Sequence, residues 1–82
     1  MTERIREIIE NEIKGAKVFV SDPNNDGHHF EAIVISEKFS GLSLVKQHQL
    51  VMNSLKKEFE TTVHALALKT YTPEDWANHN KN

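Results

Sequence analysis

The amino-acid sequence predicts a single α+β domain in which helices cover one face of a three-stranded sheet. Apolar residues follow helical spacing near the N-terminus and again in the middle of the chain, whereas three other segments have the composition or the alternation that is typical of strands. A chain of 82 residues is long enough for one domain with a modest core. The predicted order of elements is α-β-β-α-(α)-β-α.

The first helix is predicted over Thr2–Ile13, where four isoleucines fall on one face and Gly15 follows as the terminating residue. The central helix begins after Ser43, whose hydroxyl can cap it. Its predicted apolar face carries Leu44, His48, Val51 and Leu55, and its predicted polar face carries Lys46, Gln47, Gln49 and Asn53. The segment Lys56–Thr62 either continues this helix or forms a second short one after a break near Asn53.

Strands are predicted over Lys17–Asp22, His29–Ser36 and Val63–Tyr71. A turn-forming run, Pro23–Gly27, joins the first two strands, which predicts an antiparallel hairpin. In the third strand, alternation puts His64 with Leu66 and Leu68 on one side and Val63 with Ala65, Ala67 and Lys69 on the other. Thr72 and Pro73 then start a last helix that carries Trp76, before a polar tail from about Asn78 that includes His79 and is expected to be disordered.

Composition limits the functions that this chain can perform by itself. It contains no cysteine, which excludes disulfides, thiol catalysis and thiolate-based metal sites, and fits a reducing compartment. The N-terminus is charged and lacks the apolar run of a signal peptide, and no apolar run could span a membrane, so a cytoplasmic protein without a membrane partner is expected. A formal net charge of −2 argues against nucleic-acid binding through bulk charge.

Five histidines are the main chemical resource of the chain. His48 lies in a predicted apolar face, where a histidine is usually packed and bonded to the backbone. His28 and His29 lie between loop and strand, where either could simply be solvated, and only one of two adjacent strand residues can face a metal shared with His64. Two histidines rarely hold zinc by themselves, so a stand-alone zinc site is not expected. The sequence also offers no nucleophile with a positioned base, so we do not expect this chain to be an enzyme.

Four segments together resemble the BolA family, over roughly residues 2–77. They are D-G-H-H-F-E-A-I-V-I-S, K-F-S-G-L-S-L-V-K-Q-H-Q-L-V, V-H-A-L-A-L-K-T-Y and T-P-E-D-W. The resemblance implies a class II KH-like fold with a three-stranded mixed sheet, as one BolA-like domain over residues 1–82.

The resemblance also implies an adaptor that pairs with a monothiol glutaredoxin of the Cys-Gly-Phe-Ser type and shares a bridging 2Fe–2S cluster with it, in iron–sulfur or iron homeostasis or in stress response. The glutaredoxin and glutathione would supply thiolates. Carried over by position, His64 matches the family's strand histidine and His29 its loop ligand, with His28 as the alternative. No cofactor is expected in the isolated chain, which we expect to be a monomer or a weak homodimer.

The alternative function is that of a transcriptional regulator that binds DNA, using Lys46, His48, Lys56 and Lys57 on the helix–turn–helix-like surface. Family members often flank the helix histidine with two arginines, but here Gln47 and Gln49 stand in those places, which weakens phosphate contacts. The chain also lacks a Gly-x-x-Gly loop. Phe19 and Phe30 are expected in the core rather than as stacking platforms, so DNA binding should be weak and salt-sensitive.

Overall fold

The structure, a computed structural model, describes residues 1–61 and 63–79. Its elements follow the predicted order: α1 (Thr2–Glu12), β1 (Lys17–Ser21), β2 (His29–Ile35), a 3₁₀ turn (Glu37–Phe39), α2 (Leu44–Ser54), α3 (Lys56–Thr61), β3 (Ala65–Tyr71) and α4 (Pro73–His79). The open question about the central helix is answered by a break at Leu55, which separates α2 from a short α3.

The sheet has the order β1-β2-β3 and is mixed. β1 pairs with β2 in antiparallel orientation, as the predicted hairpin requires, and β2 pairs with β3 in parallel orientation. A parallel pair needs a long connection that crosses over one face of the sheet. Here α2 and α3 form that connection, and this places the histidine that precedes β3 beside the one that precedes β2.

The core lies between the sheet and the helices α1, α2 and α3. Ile5, Ile9 and Ile13 of the first helical segment are between 0% and 1% exposed, as their spacing predicts. They meet the inward row of β2, which includes Phe30 at 2% exposure and Val34 at 0%. Phe39 in the 3₁₀ turn, Val51, Leu55 and Val63 complete the buried cluster.

Helix α2 packs on the core through the C-terminal part of the face that the sequence predicted. Ser43 caps it, accepting a hydrogen bond from the Lys46 backbone N–H at 3.2 Å. Val51 and Leu55 are buried as expected, but Leu44 is 61% exposed, so its predicted place in the core is wrong. Gln47 lies one turn before Val51 and also turns toward the core, where a polar network receives its side chain.

The second face of the sheet is partly open. Phe19 projects from it and is 49% exposed, so the expectation that Phe19 is a core residue is wrong. Trp76 of α4 stacks on Phe19 with ring centroids 6.0 Å apart and also contacts Tyr71 at 5.2 Å, so α4 covers one end of this face. His79, expected in a disordered tail, is the last residue of α4 and packs against Trp76 at 5.7 Å.

The start of the third strand departs from the prediction. Val63 precedes β3 and is 1% exposed, so the prediction that it shares a side with the exposed Ala65 is wrong; alternation applies only inside a strand. No helix within residues 1–61 and 63–79 has the length and apolar character needed to cross a bilayer.

Candidate metal-binding edge and helix surface

The loop between β1 and β2 is built on two aspartates. Asp22 accepts hydrogen bonds from the backbone N–H groups of Asp26, at 3.3 Å, and Gly27, at 2.9 Å. Gly27 has a φ of 72°, in the left-handed region that glycine adopts without strain. Asp26 in turn accepts from the backbone N–H groups of His28, at 2.9 Å, and His29, at 3.1 Å. The loop therefore delivers both histidines in a fixed backbone conformation.

His28 and His64 lie against each other at the end of the sheet where β2 and β3 begin. Their rings are stacked, with centroids 4.6 Å apart and planes inclined by 22°. The His28 carbonyl accepts hydrogen bonds from the backbone N–H groups of His64, at 3.0 Å, and Ala65, at 3.2 Å. Because His29 pairs with Ala65 in the parallel strands, the residues just before them, His28 and His64, are neighbours as well.

His29 has a different partner. Its Nδ1 lies 2.8 Å from Oδ2 of Asp26, and its side chain is 53% exposed. The hydrogen bond from the His28 backbone N–H, followed by those from the His29 side chain and backbone, holds the pKa of the Asp26 carboxyl well below its usual range. Asp26 is thus an ionised group that positions both loop histidines.

Asp26 is a residue of the candidate site that the sequence interpretation missed. The available signal was an aspartate followed by glycine and placed two residues before His28, since such aspartates commonly accept hydrogen bonds from the backbone just downstream. Of the predicted ligands, the structure brings His28 and His64 into contact and leaves His29 beside Asp26.

The donor set at this edge suits an incomplete metal site. In the part of the chain that the structure describes, no cluster of three or more His, Cys, Asp or Glu side chains could hold a metal ion. Two imidazoles can occupy two positions on a metal, and imidazole is an established ligand of one iron in Rieske-type clusters. With no cysteine in the sequence, a cluster held here requires thiolates from another molecule.

The helix surface proposed for nucleic acid lies elsewhere. Lys46 on α2 and Lys56 and Lys57 on α3 are exposed, and His48 is half-buried. None of the ion pairs within residues 1–61 and 63–79 involves these lysines.

The predicted outward placement of Gln47 is wrong. Its Nε2 donates to the carbonyl oxygens of Phe39, at 3.3 Å, and Leu42, at 3.0 Å, and its Oε1 accepts from the Thr70 hydroxyl at 2.7 Å. Gln47 is therefore half-buried and bonded, and of the two glutamines that flank His48 only Gln49 is exposed at the surface.

Comparisons with known proteins agree with this architecture. The family model described as BolA-like protein matches residues 4–75. The DNA-binding transcriptional regulator BolA of Escherichia coli strain K12 is 35% identical over 88% of this chain and 79% of its own length. The acid stress protein IbaG of the same strain is 36% identical over 94% of this chain and 89% of its own length. A solved bolA protein homologue from Coxiella burnetii superposes with a TM-score of 0.82 at 37% identity, covering 94% of this chain and 96% of that one.

Proposed function

Because this chain belongs to the BolA-like family, we propose that it is an adaptor that pairs with a monothiol glutaredoxin and co-ligates a 2Fe–2S cluster bridged between the two proteins. The observation that carries the proposal is the contact between the rings of His28 and His64 at one edge of the sheet. Relatives are named as a transcriptional regulator and as a stress protein, and the proposal accordingly assigns a binding role rather than catalysis.

The chain's own contribution to such a complex is a pair of imidazole donors on a rigid edge. His64 is held by its backbone N–H on the His28 carbonyl, and His28 is held by its backbone N–H on Asp26. Preorganised donors lose less conformational entropy when they bind. When bound, a 2Fe–2S cluster supplies a one-electron redox centre and a transferable iron–sulfur unit.

Thiolates must come from the partner in this proposal. The chain has no cysteine, and a glutaredoxin of the Cys-Gly-Phe-Ser type together with glutathione would supply two. Such thiols stay available where glutathione keeps them reduced, so the proposal places the chain in the cytoplasm. Iron–sulfur or iron homeostasis and stress response are the processes in which this pairing would act.

Two different arguments select the loop ligand, one for His29 and one for His28. The resemblance assigns the ligand role to His29, whose Nδ1 is bonded to Asp26 and whose Nε2 would be the atom that binds iron. The geometry favours His28, whose ring already contacts His64. His64 is the ligand common to both assignments.

The test is co-expression with a Cys-Gly-Phe-Ser glutaredoxin, followed by gel filtration, visible absorption and circular dichroism, and iron and sulfide determination. We expect a coloured heterodimer whose spectrum changes in His64→Ala and in one of His28→Ala and His29→Ala. His79→Ala, which removes a histidine from α4, is the control and should leave the spectrum unchanged. A complex whose spectrum survives His64→Ala unaltered would refute the assignment of His64.

Nucleic-acid binding is the second candidate function. It is favoured by the exposed Lys46, Lys56 and Lys57, which form no ion pair with any residue that the structure describes, and by the name of the Escherichia coli regulator. Phosphate contacts by these residues would weaken steeply with salt. An electrophoretic mobility shift at low salt should detect weak DNA binding, and each lysine that contacts a phosphate should reduce the salt slope by about 1 when it is replaced. Micromolar binding that persists in the triple alanine variant would contradict docking through this surface.

A further inference from the structure

The open face of the sheet carries an arrangement of residues that the proposed function does not use. The ladder aligns Ser21, Glu31 and Ala67 in one row across the three strands and Phe19, Ile33 and Lys69 in the next. These residues line a cavity of about 280 Å³ together with Val20, Ala32 and Leu68 of the same strands. Trp76 of α4 covers one end of this face, where it contacts Phe19 and Tyr71.

Four of these residues form the corners of a rectangle on β2 and β3. Glu31 lies opposite Ala67, and Ile33 lies opposite Lys69. Neighbouring strands are about 4.8 Å apart, and residues on the same face of a strand are roughly 6.6 Å apart. The two charges therefore occupy one diagonal of the rectangle and the two apolar residues the other.

This pattern is complementary to itself. A two-fold axis that lies above the face and runs near the Ile33–Ala67 diagonal exchanges the positions of Glu31 and Lys69. In a face-to-face pair of copies, Glu31 of each copy then lies over Lys69 of the other, and the apolar diagonals meet along the axis. Two-fold interfaces of identical chains are of this isologous kind, in which the same two residues pair twice.

In the single chain, the side chains of the rectangle are accessible to a second copy. Glu31, Ala67 and Lys69 are exposed and Ile33 is half-buried, beside the 49% exposed Phe19. Within residues 1–61 and 63–79, no salt bridge involves Glu31 or Lys69. Among the described residues, neither charge therefore has an ion-pair partner, and an apolar surface lies between them.

We propose that this face is a homodimer interface, in which two copies of the chain pack their open sheet faces together through reciprocal Glu31–Lys69 ion pairs. A face three strands wide and about 20 Å long measures roughly 300 Å² in projection, below the ~800 Å² per partner of a stable interface. The dimer is therefore weak, forms at high protein concentration and dissociates as salt screens the ion pairs. The face is separate from the His28–His64 contact, so the proposal does not depend on the glutaredoxin hypothesis.

The experiment is sedimentation equilibrium of the full chain at protein concentrations up to about 1 mM, the range in which a Kd near 1 mM becomes visible. Glu31→Lys and Lys69→Glu should each weaken self-association about tenfold or more, because each brings like charges together twice. A mixture of the two variants restores opposite charges at both contacts, so the variants should associate with each other at wild-type strength. The double variant should dimerise as well.

Glu7→Lys is the matched control, because it makes the same change of net charge as Glu31→Lys at an exposed position on α1. It should leave association unchanged, and far-ultraviolet circular dichroism should show that all variants fold. A wild-type chain that stays monomeric throughout the concentration range would overturn the proposal. So would a dimer that resists both single substitutions, or one that the mixture fails to restore.

Discussion

The hydrogen-bond network of Gln47 makes a quantitative prediction about stability. Its amide bridges three groups: the carbonyls of Phe39 and Leu42, which precede α2, and the hydroxyl of Thr70 on β3. Thr70 is 8% exposed, so its hydroxyl has little access to water. Gln47→Ala removes all three bonds and leaves the partners without a replacement.

The expected cost follows from the number of bonds. At a net value of about 1 kcal/mol for each of the three bonds, Gln47→Ala should lower the free energy of unfolding by about 3 kcal/mol. A domain of this size has roughly 4–12 kcal/mol in total, so the variant should remain folded at 25 °C. Its Tm should fall by about 10–20 °C.

Urea unfolding followed by circular dichroism measures this loss. Gln49→Ala is the control, since Gln49 lies on the same helix but is exposed, and its effect should stay within about 0.5 kcal/mol. A double-mutant cycle of Gln47→Ala with Thr70→Val should give a coupling energy of about 1 kcal/mol for their hydrogen bond. If Gln47→Ala is no more destabilising than Gln49→Ala, the inward placement of Gln47 is refuted.

Three other predictions concern the loop, the core and the cap of α2. Because the pKa of Asp26 is lowered in the folded state, its ionised carboxylate stabilises that state fully above the unfolded pKa of about 3.9, and this contribution is lost as pH falls toward the folded pKa. Urea unfolding from pH 5 to pH 2 should therefore show that the free energy of unfolding falls less steeply with acidification for Asp26→Asn than for wild type. Parallel profiles would contradict this. Leu55→Ala should cost about 2–5 kcal/mol in the same assay, whereas Leu44→Ala should cost almost nothing, because the two leucines are 0% and 61% exposed; equal losses would restore the helix face predicted from the sequence. Ser43→Ala should cost about 1 kcal/mol by removing the α2 cap, and a Tm within error of wild type would exclude that role.

Much of the architecture depends on local physical chemistry, and the sequence predicted those parts. The isoleucine row of α1 needs only helical spacing, and the Pro23–Gly27 run needs only turn-forming residues. Capping is equally local: Ser43 bonds the backbone N–H of Lys46, and Thr72 bonds that of Asp75 at 3.1 Å. Each of these interactions joins residues within one turn, so the chain specifies them without reference to the rest of the fold.

Placement on a face was harder to predict, because hydrophobicity alone does not show which neighbours a side chain will meet. Gln47 is polar but turns inward and is half-buried, because its amide bonds Thr70 and two loop carbonyls. Phe19 is apolar and lies outside, because it alternates with the buried Val18 and because Trp76 of α4 reaches it from the open face. These outcomes depend on partners that are distant in sequence.

The candidate site divides in the same way. By itself, the sequence determined that the chain is rich in histidine, free of cysteine and similar to the BolA family, and it singled out His28, His29 and His64. Only the tertiary structure decided that His28 stacks on His64 while His29 bonds Asp26. The physical reason is the parallel register of β2 and β3, which is formed through a crossover of two helices and cannot be read from either strand alone.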